Sequence, residues 1–197
     1  MTDDPTLRFY ADNAATYAQH VTIPTGQQLS AFLSLLPSGG KILELGCGNG
    51  RDAAHMLSLG FDMDATDGTP ELAAEAERRI GQPVRILRFE QLDAIGAYDG
   101  IWACASLLHA PAGDLVDILS RIHRALRPDG VFTASFKAGN GEGHDSLGRY
   151  FNYPSAERLR ADYASAGWRD VVLETRMGSG YDAKPTEWLW VTAQRPV

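Results

Sequence analysis

The sequence predicts an α/β fold on a mostly parallel sheet, and three observations predict it. From about residue 41 onward, short apolar runs bounded by Gly, Asp and Pro alternate with amphipathic helical stretches. The first of these runs passes through a glycine-rich turn straight into a helix. The chain then ends in two strand-like runs with no helix between them, which forces an antiparallel hairpin at one edge of an otherwise parallel sheet.

Taken in order, the segment from about Leu7 to Val21 carries Phe9, Tyr10, Ala14, Tyr17 and Ala18, a spacing that gathers the aromatic rings near one face of a single amphipathic helix. Pro24 opens a second helical stretch with Leu29, Phe32, Leu33, Leu35 and Leu36, which stops at Pro37 and the Ser38-Gly39-Gly40 turn. Strands are expected at Lys41–Leu45, Phe61–Thr66, Val84–Arg88, Tyr98–Ala103 and Gly130–Phe136. Between them fall helices near Arg51–Leu59, Pro70–Arg79 and Ala112–Leu126, so helices should cover both faces of the sheet. Ala138–Gly143 reads as a glycine-rich loop, followed by a helix over Pro154–Ala166 and the strands Trp168–Arg176 and Glu187–Gln194. With no repeat, low-complexity tract or linker in view, one domain is expected: residues 1–37 as an N-terminal helical lid and first helix, 38–197 as the core.

Composition narrows the partners. The 197 residues are 44% hydrophobic and 22% charged, an ordinary globular balance. The net charge of -7, with no Lys/Arg block to neutralise phosphates, argues against nucleic acid. Asp3, Asp4 and Pro5 stand where a secretory leader would be basic and then apolar, and no run approaches the roughly 20 apolar residues of a spanning helix. Two cysteines, Cys47 and Cys104, are too few for a disulfide framework, and no Cys-x-x-Cys or His/Cys spacing suggests a metal. The expectation is a cytoplasmic protein, monomer or homodimer, without membrane or metal.

The chemistry gathers at strand ends. Glu44-Leu45-Gly46-Cys47-Gly48-Asn49-Gly50 closes the first strand, and glycines at 46 and 48 let the backbone turn sharply and a ligand approach it. Asp67 closes the second strand, 17 positions after Gly50, where a carboxylate can accept hydrogen bonds from both hydroxyls of a ribose. Asp64 is a rival that strand alternation places away from the tip.

These features resemble the class I S-adenosylmethionine-dependent methyltransferases, over nearly the whole chain. The glycine pattern matches the family's E/D-x-G-x-G-x-G, and the final hairpin matches its antiparallel sixth and seventh strands. Locally, Gly46–Asp52 and Gly60–Asp67 look most like tellurite-resistance-type and general small-molecule members. The resemblance implies a Rossmann-like seven-stranded sheet, S-adenosylmethionine as donor and S-adenosylhomocysteine as product. It implies that Gly46, Cys47 and Gly48 lie against the methionine part, that Glu44 fixes the turn and the ammonium, and that Asp67 with Gly68 holds the ribose. Phe89 and Glu90 follow the third strand where the family places adenine neighbours; a core Phe and a surface Glu would look the same.

Ser106 and His109 follow the fourth strand, where donor meets acceptor in that family. An imidazole with a pKa near 6.5 suits proton removal, so His109 is a candidate general base, with packing at a helix start as the alternative. Tyr10 and Tyr17 resemble lid aromatics, Tyr17 being a second catalytic candidate, and core-facing helix residues would show the same spacing. Lys137, His144, Asp145, Arg149 and Tyr150 lie in the long connection after the fifth strand, and Tyr181, Asp182 and Lys184 in the final hairpin loop. Arg149, Tyr150 and Lys184 together suggest a grip on an anionic acceptor.

The expected activity is methyl transfer to a small-molecule acceptor. Two rivals stand beside it: a non-catalytic S-adenosylmethionine-binding protein, and an NAD(P)-dependent oxidoreductase, whose G-x-G-x-x-G fingerprint this sequence misses because Gly50 comes one position early.

Overall fold

A computed structural model describes residues 4–19, 26–181 and 183–196. Asp4 caps the first helix, α1 (Pro5–Asp12), accepting from the amides of Thr6 and Leu7. The single helix expected to run on from Leu7 is broken at Asn13, and α2 (Ala14–Gln19) follows. The break has a local cause: the Asn13 amide side chain donates to the Phe9 carbonyl at 2.8 Å, competing with helical continuation. The expected helix end at Val21 and the start at Pro24 lie outside the described residues; α3 is seen over Gly26–Ser34.

Five parallel strands follow: β1 (Lys41–Leu45), β2 (Asp62–Asp67), β3 (Arg85–Ile86), β4 (Tyr98–Ala103) and β5 (Leu126–Lys137). Their helices are α4 (Arg51–Ser58), α5 (Pro70–Ile80) and α6 (Leu115–Ala125). The third strand shrinks to two residues because the chain leaves the sheet for a 3-10 turn at Phe89–Gln91, and residues 112–114 form a turn ahead of α6. The stretch expected as a plain loop after β5 instead contributes β6 (Gly141–His144), paired antiparallel with β7 (Tyr150–Tyr153). After α7 (Ala156–Ser165), β8 (Val171–Ser179) and β9 (Pro185–Gln194) complete a seven-stranded sheet of order β3-β2-β1-β4-β5-β9-β8. β9 is the one reversed strand and lies next to the edge.

Apolar residues alternate across this sheet into two cores. Leu43, Ile101 and Phe132 meet Ile118, Leu119 and Ile122 of α6 and Leu159 and Tyr163 of α7. Ile42, Met63 and Trp102 meet Phe32 of α3, Met56 of α4 and Ala76 of α5. The strand order reverses between β1 and β4, so the chain leaves their carboxyl ends in opposite directions and opens a crevice there.

Candidate functional site

That crevice is the floor of a cavity of about 940 Å³. α1, α2 and the connection between β8 and β9 roof it, through Tyr10, Tyr17 and Tyr181. Glu44, Gly46, Cys47, Gly48, Asp67, Gly68, Phe89, Glu90, Ser106 and His109 line it as well, so sequence positions from 10 to 181 meet at one place.

The glycine turn is shaped by the protein as much as for a ligand. Gly46 has φ +76°, and a Cβ there would stand 2.5 Å from Ser106 Cβ. The Ser106 hydroxyl in turn donates to the Leu45 carbonyl at 2.6 Å, so this serine braces the turn. The turn's amides are turned inward. Those of Gly46 and Cys47 donate to the Thr66 carbonyl, that of Gly48 to Asp67 Oδ2 and that of Gly50 to the Cys47 carbonyl. A pyrophosphate would need those N–H groups; engaged as they are, they do not form an anion cradle. The Cys47 side chain packs into the α3–α5 core, where burial pushes its thiol pKa well up.

The cavity offers carboxylates instead. Glu44 is 3% exposed, and its Oε2 has no hydrogen-bond partner among the described residues. Burial, reinforced by the charge of Asp52, pushes its pKa far above the carboxylate range, which a cation placed beside it would reverse. Asp52 is held by both Arg51 Nε and Nη2, at 2.8 and 2.9 Å, and by the Trp102 indole N–H at 3.1 Å. Asp67 accepts from the Gly48 and Thr69 amides at 2.9 Å each, yet burial still raises its pKa to about 6.

The roof holds a polar chain. His109 Nδ1 lies 2.6 Å from the Tyr150 carbonyl, which can only accept, so Nδ1 carries the proton. Nε2 then accepts from the Tyr10 hydroxyl at 2.9 Å. Burial lowers the His109 pKa to about 4, so the ring is neutral at physiological pH, and the expectation of an ordinary imidazole pKa does not hold. Burial raises the Tyr10 pKa in the same setting.

Comparison with known proteins agrees with this geometry. A family profile described as "Methyltransferase domain" matches residues 43–132, from β1 into β5. The 27-O-demethylrifamycin SV methyltransferase of Amycolatopsis mediterranei is 27% identical over 78% of this chain and 54% of its own length. The chain spans about half the length of the curated relatives it matches. Among solved structures, the 1,6-didemethyltoxoflavin-N1-methyltransferase of Burkholderia thailandensis, crystallised with 1,6-didemethyltoxoflavin and S-adenosylhomocysteine, is 26% identical and superimposes with TM-score 0.64 over all of this chain and 80% of its own. A SAM-dependent methyltransferase of Methanosarcina mazei shares the fold with TM-score 0.78 at 14% identity, over 89% of this chain and all of its own. Residues 43–132 thus match a methyltransferase domain, and the chain has the fold of S-adenosylmethionine-dependent methyltransferases.

The donor of these methyltransferases fits the residues present. A buried carboxylate oxygen with no partner among the described residues, beside glycine amides engaged within the protein, suits a ligand carrying an ammonium and a sulfonium. Glu44, Asp67, Phe89 and Glu90 all line that cavity.

The expected anion grip is not assembled. Arg149, Tyr150 and Lys184 do not line the cavity, and neither do Lys137, His144 and Asp145. Arg149 is 3% exposed; it is paired with Asp145 at 2.7 Å and lies over the rings of Phe9, Tyr10, Phe151 and Tyr181 at 5.0 to 5.9 Å. Tyr150 donates to Glu142 at 2.5 Å. Asp182 lies outside the described residues. The residues that sequence reading passed over are Arg51, Asp52, Cys104, Arg176, Trp188 and Trp190, all in the cavity wall. Trp188 and Trp190 did carry a signal: on one strand they are two apart and therefore share a face.

Proposed function

We propose that the protein transfers the methyl group of S-adenosylmethionine to a small-molecule acceptor held under the α1–α2 roof. The observation that carries this reading is Glu44: a carboxyl side chain of the cavity lining whose buried Oε2 has no partner among the described residues, beside glycine amides engaged within the protein. A cationic nucleoside satisfies it, whereas the pyrophosphate of a nicotinamide dinucleotide would face that carboxylate and find the glycine amides already engaged.

Bound there, the donor supplies a methyl group on a positive sulfur, and its transfer neutralises that sulfur. The protein's own work is alignment and exclusion of water. Glu44 and Asp67 fix the two ends of the donor, and Ser106 keeps the turn at its depth. Tyr10, Tyr17 and Tyr181 close the top: Tyr17 meets Tyr10 edge-on at 5.3 Å and stacks on Tyr181 at 5.4 Å. For an acceptor that must lose a proton, the Tyr10–His109 pair is the group at hand: Tyr10 lines the cavity and can take that proton only as it passes its own hydroxyl proton to His109 Nε2. His109 is then the terminal proton acceptor through Nε2, kept in one tautomer by the Tyr150 carbonyl.

The test is calorimetric binding of S-adenosylmethionine and S-adenosylhomocysteine, followed by mass-spectrometric detection of S-adenosylhomocysteine release with a metabolite panel. Absence of binding rejects the donor assignment. Binding without release across a broad panel favours the non-catalytic rival.

A further inference from the structure

The cavity is wider than its donor end. In the strand order, Asp67 sits on β2, Glu44 on β1, Cys104 beyond β4, Ser135 on β5, and Trp188 and Trp190 on β9. At roughly 4.8 Å per strand, β2 and β9 are about 19 Å apart. The nucleoside belongs between the tips of β2 and β4, leaving the β5–β9 end for the acceptor.

That end is aromatic, and the cations described around it are already engaged. Trp188 lies over the backbone of Gly178, where a Cβ would come within 3.1 Å of its Cδ1, so the indole has a flat support. Trp190 packs on the buried Trp102 at 5.6 Å, and Tyr181 stacks with Tyr17. The cations around this wall are engaged: Arg51 by Asp52, Arg176 by Glu174 at 2.9 Å and Gln27 at 3.2 Å, and Lys137, outside the cavity lining, with its Nζ 4.4 Å over the Phe151 ring and 6.0 Å from that of Trp188. An acceptor carboxylate or phosphate would shed its water without gaining a counter-charge and would face Glu44 and Asp52. A cationic acceptor would be repelled by the sulfonium, and an ammonium nitrogen itself would hold no lone pair for the methyl group.

We infer that the methyl acceptor is an uncharged planar aromatic or heteroaromatic molecule, seated against Trp188 and Tyr181 at the β5–β9 end of the cavity. This rests on the methyl-transfer reading above. Ring against ring is the contact this wall makes best, and aromatic pairs contribute beyond their buried area, enough for roughly tenfold in affinity.

The experiment uses the full chain saturated with S-adenosylhomocysteine and three probes of matched size: naphthol, hydroxynaphthoate and the saturated alcohol decalol. Binding is read by calorimetry and by quenching of tryptophan fluorescence. Naphthol should bind about tenfold or more tighter than either of the others. Trp188→Leu should weaken naphthol about fivefold or more and leave S-adenosylhomocysteine affinity within about twofold. Hydroxynaphthoate or decalol binding as well as naphthol, no naphthol binding, or no effect of Trp188→Leu overturns the inference while the donor site stands. Failure of S-adenosylhomocysteine to bind in the first place overturns the donor reading itself.

Discussion

Replacing Asp67 with alanine separates a ligand-holding carboxylate from a structural one. Its oxygens accept from the Gly48 and Thr69 amides at 2.9 Å and remain part of the cavity wall. Two charge-assisted bonds to ribose hydroxyls, at the lower end of about 1.5 kcal/mol each, contribute about 3 kcal/mol. Their loss raises the Kd for S-adenosylhomocysteine by roughly two orders of magnitude. The effect on the unliganded fold is different. Burial raises the pKa from 3.8 to about 6, so at neutral pH the ionised group costs the empty fold about 3 kcal/mol, and deletion removes that cost. Against it stand two amides left without an acceptor, at about 1–3 kcal/mol each. These terms roughly offset, so the melting temperature should move by only a few degrees while binding collapses. Calorimetric titration and a thermal melt on the same preparation measure both. A Kd within about threefold of the parent refutes the ribose assignment, and a collapsed melt with normal affinity per folded molecule makes Asp67 structural.

The same carboxylate sets a pH dependence. Its folded pKa is raised, so its contribution to unliganded stability is full below about pH 4 and is lost as pH rises through about 6, whereas donor affinity should be constant above pH 7 and fall towards tenfold per unit below about 6; titrations across buffers check it. Tyr10→Phe keeps the ring contacts but leaves His109 Nε2 without its donor, so kcat should fall about 100-fold with S-adenosylhomocysteine affinity nearly unchanged, read as product release against calorimetry; a normal kcat with a lowered melt would mean a packing role. Gly46→Ala brings a Cβ to 2.5 Å from Ser106 at φ +76°, and should destabilise the fold by about 2 kcal/mol or more in denaturant unfolding. Arg149→Met strips Asp145 of its partner and the roof of its cation, which should cost about 3 kcal/mol and lower the melting temperature even though the residue never faces the cavity.

What could be read from sequence here follows the range of the forces involved. The β1 turn and Asp67 were legible because each is fixed by a few adjacent residues: glycines able to hold positive φ, and a carboxylate ending an apolar run. The break at Asn13 was not, since helix periodicity continues through it and only one side-chain hydrogen bond to Phe9 diverts the chain. The β6–β7 hairpin was missed for a similar reason: Gly141 and Gly143 weaken strand propensity, and the pairing is held in place from outside, by Thr6 accepting from the Tyr150 amide 144 residues away. Charge identity misled most. Arg149 and Lys184 carry the charge an anion would want, but a cation's availability depends on its nearest carboxylate, and Asp145 had already taken Arg149. The consequence reaches the mechanism. A guanidinium over Phe9, Tyr10 and Tyr181 joins α1 to the β8–β9 connection, so the residue first assigned to the acceptor instead holds the roof under which the acceptor must fit.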